Sequence, residues 1–346
     1  MQDADFLIVG GGSAGAVVAA RLSEDPSCRV LLVEAGQDTP PGAVPLDIAD
    51  TFPGSYGNRG YSWPGLLAHG VTGSPARPFI QARVMGGGSS LMGMWALRGL
   101  PGDYDAWAAG GAKGWGWDDV LPYFCRLERD LDYAGNAHGA GGPVPIRRIA
   151  RAAWPGFASA IERAATARGY AFRADINADD EDGFFPIPFS QDAGVRASAA
   201  HCYLTPDVRR RTNLSIMPHT RATALLFNGQ RVYGVRAERG GEALKLRARE
   251  VILCAGAIHS PALLMRSGIG PASELQRLGI EAVADAPGVG RNLQNHVFIH
   301  IGVTIARGAR QSAALRNYGI AAIRFSSGHA HGVPGDLLVS VIGRVS

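Results

Sequence analysis

Asp5-Phe6-Leu7-Ile8-Val9-Gly10-Gly11-Gly12-Ser13-Ala14-Gly15 stands near the start of the chain, and Arg29-Val30-Leu31-Leu32-Val33-Glu34 follows it. The apolar run 5–9 ends in glycines, which predicts a buried parallel strand. Residues 13–24 carry small side chains at helical spacing, and Pro26 closes that helix. The run 29–34 is a second strand. Together they predict a β-α-β unit in about 30 residues.

Within it, Gly10, Gly12 and Gly15 fit the spacing G-x-G-x-x-G. A lone match means little, but here a strand precedes it, a helix opens on it and an acid ends the next strand. Gly10 suits a tight turn, Gly12 a close approach of a pyrophosphate to the backbone, and Gly15 close packing of helix on sheet. Free N–H groups at the helix start stabilise phosphate charge. Glu34 is placed to accept from both ribose hydroxyls and to repel a 2′-phosphate, so FAD or NAD is expected rather than NADP.

Outward from this unit, residues 36–80 scatter Pro, Gly, Tyr and Trp without a period, which predicts an irregular but ordered connection. Helical patches follow at 103–129, a Gly/Pro loop at 135–150 and a helix at 154–168. The acidic stretch 171–196 reads as loop. Strand-like runs dominate after 213: LSIM, ATALLF, RVYGVRAE, ALKLRA and EVILCAG. The chain ends on DLLVSVIGRVS, inside an apparent strand and without a polar tail, which suggests truncation.

Composition narrows the class. Of 346 residues, 46% are apolar and 18% charged, as in a globular enzyme. The net charge is +4, and only Lys113 and Lys245 among the basic residues are lysines. No aromatic residues interleave with the one dense basic cluster, Arg209-Arg210-Arg211, so no nucleic-acid surface is expected. Cys28, Cys125, Cys202 and Cys254 show no metal or CxxC spacing, and no metal site is expected. The absence of a signal-like N-terminus or a long apolar run points to a cytoplasmic protein without a membrane partner.

Two further segments separate the dinucleotides. Gly256-Ala257-Ile258-His259-Ser260-Pro261-Ala262-Leu263-Leu264-Met265-Arg266-Ser267-Gly268-Ile269-Gly270 follows the strand-like EVILCAG and starts a helix at Ser260-Pro261. Ala82-Arg83-Val84-Met85-Gly86-Gly87-Gly88-Ser89-Ser90-Leu91-Met92-Gly93-Met94 is a Gly/Ser-rich loop. These segments resemble the two signatures of the glucose–methanol–choline (GMC) oxidoreductase family, and Pro287–His296 is similar to a further family stretch. The resemblance covers residues 4 to about 300. Within the family, the wording around 98–147, including His138-Gly139, is similar to bacterial oxidases of furanic and aromatic primary alcohols.

The resemblance implies an α/β fold with a Rossmann-like FAD-binding domain, 1–155 with 200–297, and an incomplete antiparallel-sheet substrate domain, 156–199 with 298–346. It assigns Gly10, Gly12, Ser13, Ala14 and Gly15 to the pyrophosphate and Glu34 to the ribose. Ala35 and Trp63 go to the adenosine surroundings, Ser89, Ser90, Gly93 and Met94 to the flavin side, and Ala222 to the adenine. Met92 stands where the family has Asn or His, which implies non-covalent FAD. The implied activity is hydride transfer from a primary alcohol to FAD, then to O₂ or another acceptor. The alternatives are a non-redox FAD-containing lyase and a flavin-binding chain without activity.

A flavin alcohol oxidation also needs a base for the hydroxyl proton. In the family a His does this from the C-terminal third, beyond this chain. His329 and His331 lie in a Gly/Pro loop; His296 and His300 flank a strand-like VFI; His201 and His259 read as structural. No catalytic residue is assigned.

Overall fold

The computed structural model describes residues 3–343. Its residues fall into two compact units. The first comprises Met1–Pro45, Ser55–Leu91 and Ser198–His300; the second comprises Leu46–Gly54, Met92–Ala197 and Ile301–Ser346.

The first unit is built on a six-stranded sheet. Its elements are β1 (Ala4–Val9), α1 (Ser13–Leu22), β2 (Val30–Val33), β3 (Leu214–Met217), β4 (Thr220–Asn228), β5 (Arg231–Arg239), β6 (Glu242–Leu253) and α2 (Gly256–Arg266). The strand order is β3-β2-β1-β6-β5-β4. β3, β2, β1 and β6 run parallel, with Val9 beside Val33 and Leu253. β1 and β2 are apolar on both faces because both are covered: Leu7, Ile8 and Leu32 have no exposure.

The run ALKLRA and the EVIL of EVILCAG, read separately in the sequence, belong to one strand. In β6, residues 242–247 pair antiparallel with β5, and residues from 248 onward pair parallel with β1. No Gly, Pro or Asn interrupts the junction, so nothing turns the chain. This long strand joins an α/β half to a three-stranded antiparallel meander.

The second unit holds two sheets. One combines Glu128–Asp130, Val144–Arg148, Pro188–Asp192 and Val195–Arg196; the other combines Gly183–Pro186, Gly319–Phe325 and Leu337–Ile342. Residues 46–54 and 92–155 cluster here, whereas the expected division placed them with the nucleotide domain. Strand pairing is the reason: Ile146 lies opposite Ser190, and Glu128–Asp130 pairs alongside Val144–Ile146. The stretch 171–196 is not a loop as expected. Its run Phe184-Phe185-Pro186-Ile187-Pro188-Phe189 is fully buried at Phe184, Phe185, Ile187 and Phe189, and the two prolines hide the strand signal. Residues 291–306, expected to hold a strand between His296 and His300, lie outside any helix or strand.

A buried charge network ties the second unit's loops together. His138 Nδ1 lies 3.0 Å from Glu128 Oε1 and 3.2 Å from Asp130 Oδ2, and its Nε2 lies 2.5 Å from Asp175 Oδ2. Arg148 donates to both oxygens of Asp130, at 2.9 and 2.8 Å, and to Asp175 at 3.1 Å. Arg98 stands 2.7 Å from Glu128. Side-chain exposure is 3% for His138 and zero for Asp130. Three carboxylates thus meet two guanidinium groups and an imidazole with an acid at each ring nitrogen. Glu128, Asp130 and His138 have the spacing of a metal-ligand set, but arginines already neutralise these carboxylates, and a cation there would face them directly.

Removing the imidazole leaves buried oxygens of Glu128 and Asp130 short of a partner, and a buried polar group left unpaired costs about 1–3 kcal/mol. His138→Ala is therefore expected to lower unfolding free energy in urea by about that amount; a change under about 1 kcal/mol would contradict the account. Burial alone would raise the Asp130 carboxyl, but the Arg148 bonds and the N–H groups of Asp132 and Tyr133 hold it below its ordinary value. Its stabilisation is present above the ordinary aspartate pKa of about 3.9 and is lost as pH falls through the depressed value. Urea midpoints for wild type and Asp130→Asn should converge in that acid range; parallel midpoints throughout would contradict it.

Candidate functional site

The carboxyl ends of β1 and β6 define the site. From β1 the chain crosses through α1 to β2 on one side, while β6 lies on the other and leads into α2. Connections that leave neighbouring parallel strands in opposite directions open a crevice above the sheet.

The glycines at this crevice have separate physical requirements. Gly10 has φ +101°, and a Cβ there would lie 2.5 Å from the Cys254 carbonyl oxygen. At Gly15 a Cβ would lie 1.9 Å from the Gly10 oxygen, so only glycine lets α1 sit this close to β1. Gly12 differs: a Cβ would meet nothing closer than Gly87 Cα at 3.7 Å. The chain's own packing thus leaves its face open to a ligand. No side chain caps the first turn of α1, and Ser13 and Ala14 are exposed there, so the turn's N–H groups suit an anion.

Glu34 ends β2 and is 7% exposed. Its Oε2 accepts from the Gly11 N–H and its Oε1 from the Gly36 N–H, both at 2.8 Å. Burial raises its pKa; the two N–H groups and the Arg83 charge act against that rise. Each carboxylate oxygen keeps acceptor capacity beyond one bond. Ala35 follows, half-buried. The Thr220 N–H donates to the Glu34 carbonyl at 2.8 Å, which sets Ala222 two residues along β4, opposite Ala237.

The Gly/Ser loop lies against the glycine turn. The Gly86 N–H donates to the Gly11 carbonyl at 2.7 Å, and a Cβ on Gly87 would lie 2.7 Å from Gly12 Cα. The hydroxyls of Ser89 and Ser90 hold the loop itself. Ser89 Oγ donates to the Gly86 carbonyl at 2.6 Å and accepts from the Ala199 N–H; Ser90 Oγ, fully buried, donates to the Met85 carbonyl at 2.8 Å. Gly93 and Met94 belong to the second unit. There Met94 has φ 62°, is 6% exposed within an apolar core, and its carbonyl accepts from the Ser190 N–H and Oγ.

Trp63 is half-buried, with the His259 ring 4.1 Å away, tilted by 33°, and the Arg83 guanidinium 5.8 Å from its own centroid. Sequence reasoning missed four contributors here. Gly36 is required because a Cβ would strike the Arg83 carbonyl at 1.9 Å. The fully buried Met85 packs under Gly11. Arg83 adds charge beside Glu34, and His259, read as structural, packs against Trp63. The Glu34-Ala35-Gly36 spacing could have revealed Gly36; the others rest on long-range contacts.

These residues fit a dinucleotide: an open glycine face, a helix start that no side chain caps, and a buried carboxylate beside both. Comparison with known proteins bears on which one. Residues 4–298 match the sequence model described as GMC oxidoreductase. The chain is 44% identical over 351 residues to 5-(hydroxymethyl)furfural oxidase of Methylovorus sp. (strain MP688), covering 97% of this chain and 66% of that protein. It is 39% identical over 303 residues to oxygen-dependent choline dehydrogenase of Brucella anthropi, covering 87% of this chain and 54% of the relative. Among solved structures, pyridoxine 4-oxidase from Mesorbium loti superposes with a TM-score of 0.85 at 32% identity, over 98% of this chain and 66% of that one. The chain thus spans between half and two thirds of these relatives' lengths. With the family's sequence model matched over residues 4–298, the chain belongs to the GMC oxidoreductases, a family that binds FAD.

Proposed function

We propose that this chain is the FAD-binding part of an oxidoreductase that takes a hydride from the CH–OH group of a primary alcohol, furanic or aromatic, and delivers the electrons to O₂ or another acceptor. The observation that carries the reading is the crevice between β1 and β6, with Gly12 open, the first turn of α1 uncapped and Glu34 buried beside them. The similarity to a hydroxymethylfurfural oxidase over 97% of the chain supports the substrate class. In this reading the first unit holds the cofactor.

FAD, when bound, supplies a flavin ring that accepts the hydride. The chain's residues bind and orient it. Gly10, Gly12, Ser13, Ala14 and Gly15 receive the pyrophosphate on the start of α1. Glu34 accepts from the ribose hydroxyls and disfavours a 2′-phosphate by charge. Ala35, Trp63 and Ala222 line the adenosine end. Ser89 and Ser90 shape the loop toward the flavin, and Gly93 and Met94 are its continuation. Attachment is non-covalent, because Met92 offers a thioether and no nucleophilic nitrogen. A base for the alcohol proton is not assigned.

The test is visible absorbance with anaerobic titration. The purified protein should carry flavin bands and release FAD intact on denaturation, and protein spanning the relatives' full length should bleach with an aromatic or furanic primary alcohol. Absence of flavin after incubation with FAD would overturn the cofactor reading, and flavin that no alcohol reduces in protein spanning the relatives' full length would overturn the reaction. Glu34→Ala should weaken FAD binding by at least about tenfold, since a lost charge-assisted hydrogen bond costs about 1.5–3 kcal/mol. FAD binding favours ionised Glu34, so wild-type affinity should be highest above the raised carboxyl pKa and fall as pH drops through it. Fluorescence titration at several pH values checks this, with Glu34→Gln losing that dependence; an identical pH profile in that variant would contradict it.

A further inference from the structure

The group around Trp63 carries polar atoms that the fold itself does not use. His259 stands in the first turn of α2, immediately beyond the end of β6. Its Nε2 is buried and has no hydrogen-bond partner among the described residues, and the same holds for Arg83 Nε. Both side chains belong to the group around Trp63. Leaving a buried nitrogen unpaired costs about 1–3 kcal/mol, a cost that packing on Trp63 alone does not require; a phenylalanine would pack as well.

The group is joined to the ribose acid. The Arg83 N–H donates to the Tyr61 carbonyl at 2.6 Å and the Trp63 N–H to the Gln81 carbonyl at 3.0 Å, so the two segments run as a pair. The Arg83 carbonyl lies against Gly36, and the Arg83 charge acts on Glu34. Glu34, Arg83, Trp63 and His259 therefore line one continuous rim from the end of β2 to the start of α2.

We propose that His259 is a further cofactor-positioning residue, whose Nε2 hydrogen-bonds the adenosine half of the dinucleotide while its ring packs on Trp63. This rests on the FAD reading above and adds to it a residue outside the glycine turn. The protonation state selects adenosine over phosphate. Burial lowers the His259 pKa, and the nearby Arg266 charge lowers it further, which favours neutral imidazole with one N–H and one lone pair. Adenine presents both donors and acceptors along its edge, whereas a phosphate would favour the cation.

The experiment compares wild type, His259→Phe and His259→Gln. FAD affinity is read by fluorescence quenching, and ADP and inorganic pyrophosphate serve as competitors. Phenylalanine keeps an aromatic ring but removes the nitrogen; glutamine keeps a polar group. His259→Phe should bind FAD and ADP about tenfold more weakly, as loss of one buried hydrogen bond implies. Pyrophosphate should be unaffected, His259→Gln should recover part of the loss, and melting temperatures should stay near wild type. FAD affinity of His259→Phe within twofold of wild type would overturn the proposal. So would an equal loss for pyrophosphate, which would place the contact on phosphate, or an equal loss in both variants with lowered melting, which would make the residue packing only. Wild-type protein that quenches no FAD fluorescence would instead defeat the cofactor reading itself.

Discussion

The Glu34 carboxylate is the constraint on which the first unit's site depends. It is buried, and each oxygen accepts a backbone N–H, from Gly11 in the glycine turn and from Gly36 beyond β2. A buried carboxylate without partners would cost several kcal/mol; with them it fixes two turns relative to one strand end. The Gly/Ser loop then stacks on the same turn through the Gly86 N–H and the close approach of Gly87 to Gly12. The cradle is thus set by backbone groups and one side chain.

The β-α-β unit was legible because its signals agree at every level: apolar strand, glycine spacing, small-residue helix, second strand and terminal acid. Local sequence determines all of these, and Ala4–Val9, Ser13–Leu22 and Val30–Val33 appear within a residue or two of where the pattern puts them. The GMC signatures were equally readable, and the family match over residues 4–298 accords with them. The stretch 171–196 was not legible. Its acids and prolines look like loop, and only the pairing of Pro188–Asp192 with Val144–Arg148 and burial of four apolar side chains make it strand. Tertiary context overrode local propensity there.

Side-chain roles were harder to read than elements. His138 carried no signal beyond a family-like His-Gly, yet it joins carboxylates from two segments, the strand Glu128–Asp130 and the loop at Asp175. His259 looked like a lone structural histidine because Trp63, its partner, is 196 positions away. Gly12 and Gly15 look alike in sequence but serve different ends: Gly15 is forced by contact with Gly10, while a Cβ at Gly12 would meet only Gly87 Cα, at an ordinary contact distance of 3.7 Å. Spacing can nominate such residues; only their surroundings separate packing from binding.

The most direct test of the account is a crystal structure of this protein with FAD. The account predicts the pyrophosphate over Gly12 and the N–H groups at the start of α1, with both ribose hydroxyls within hydrogen-bond distance of the Glu34 carboxylate. FAD bound with its ribose away from Glu34, or with its phosphates away from α1, would contradict it.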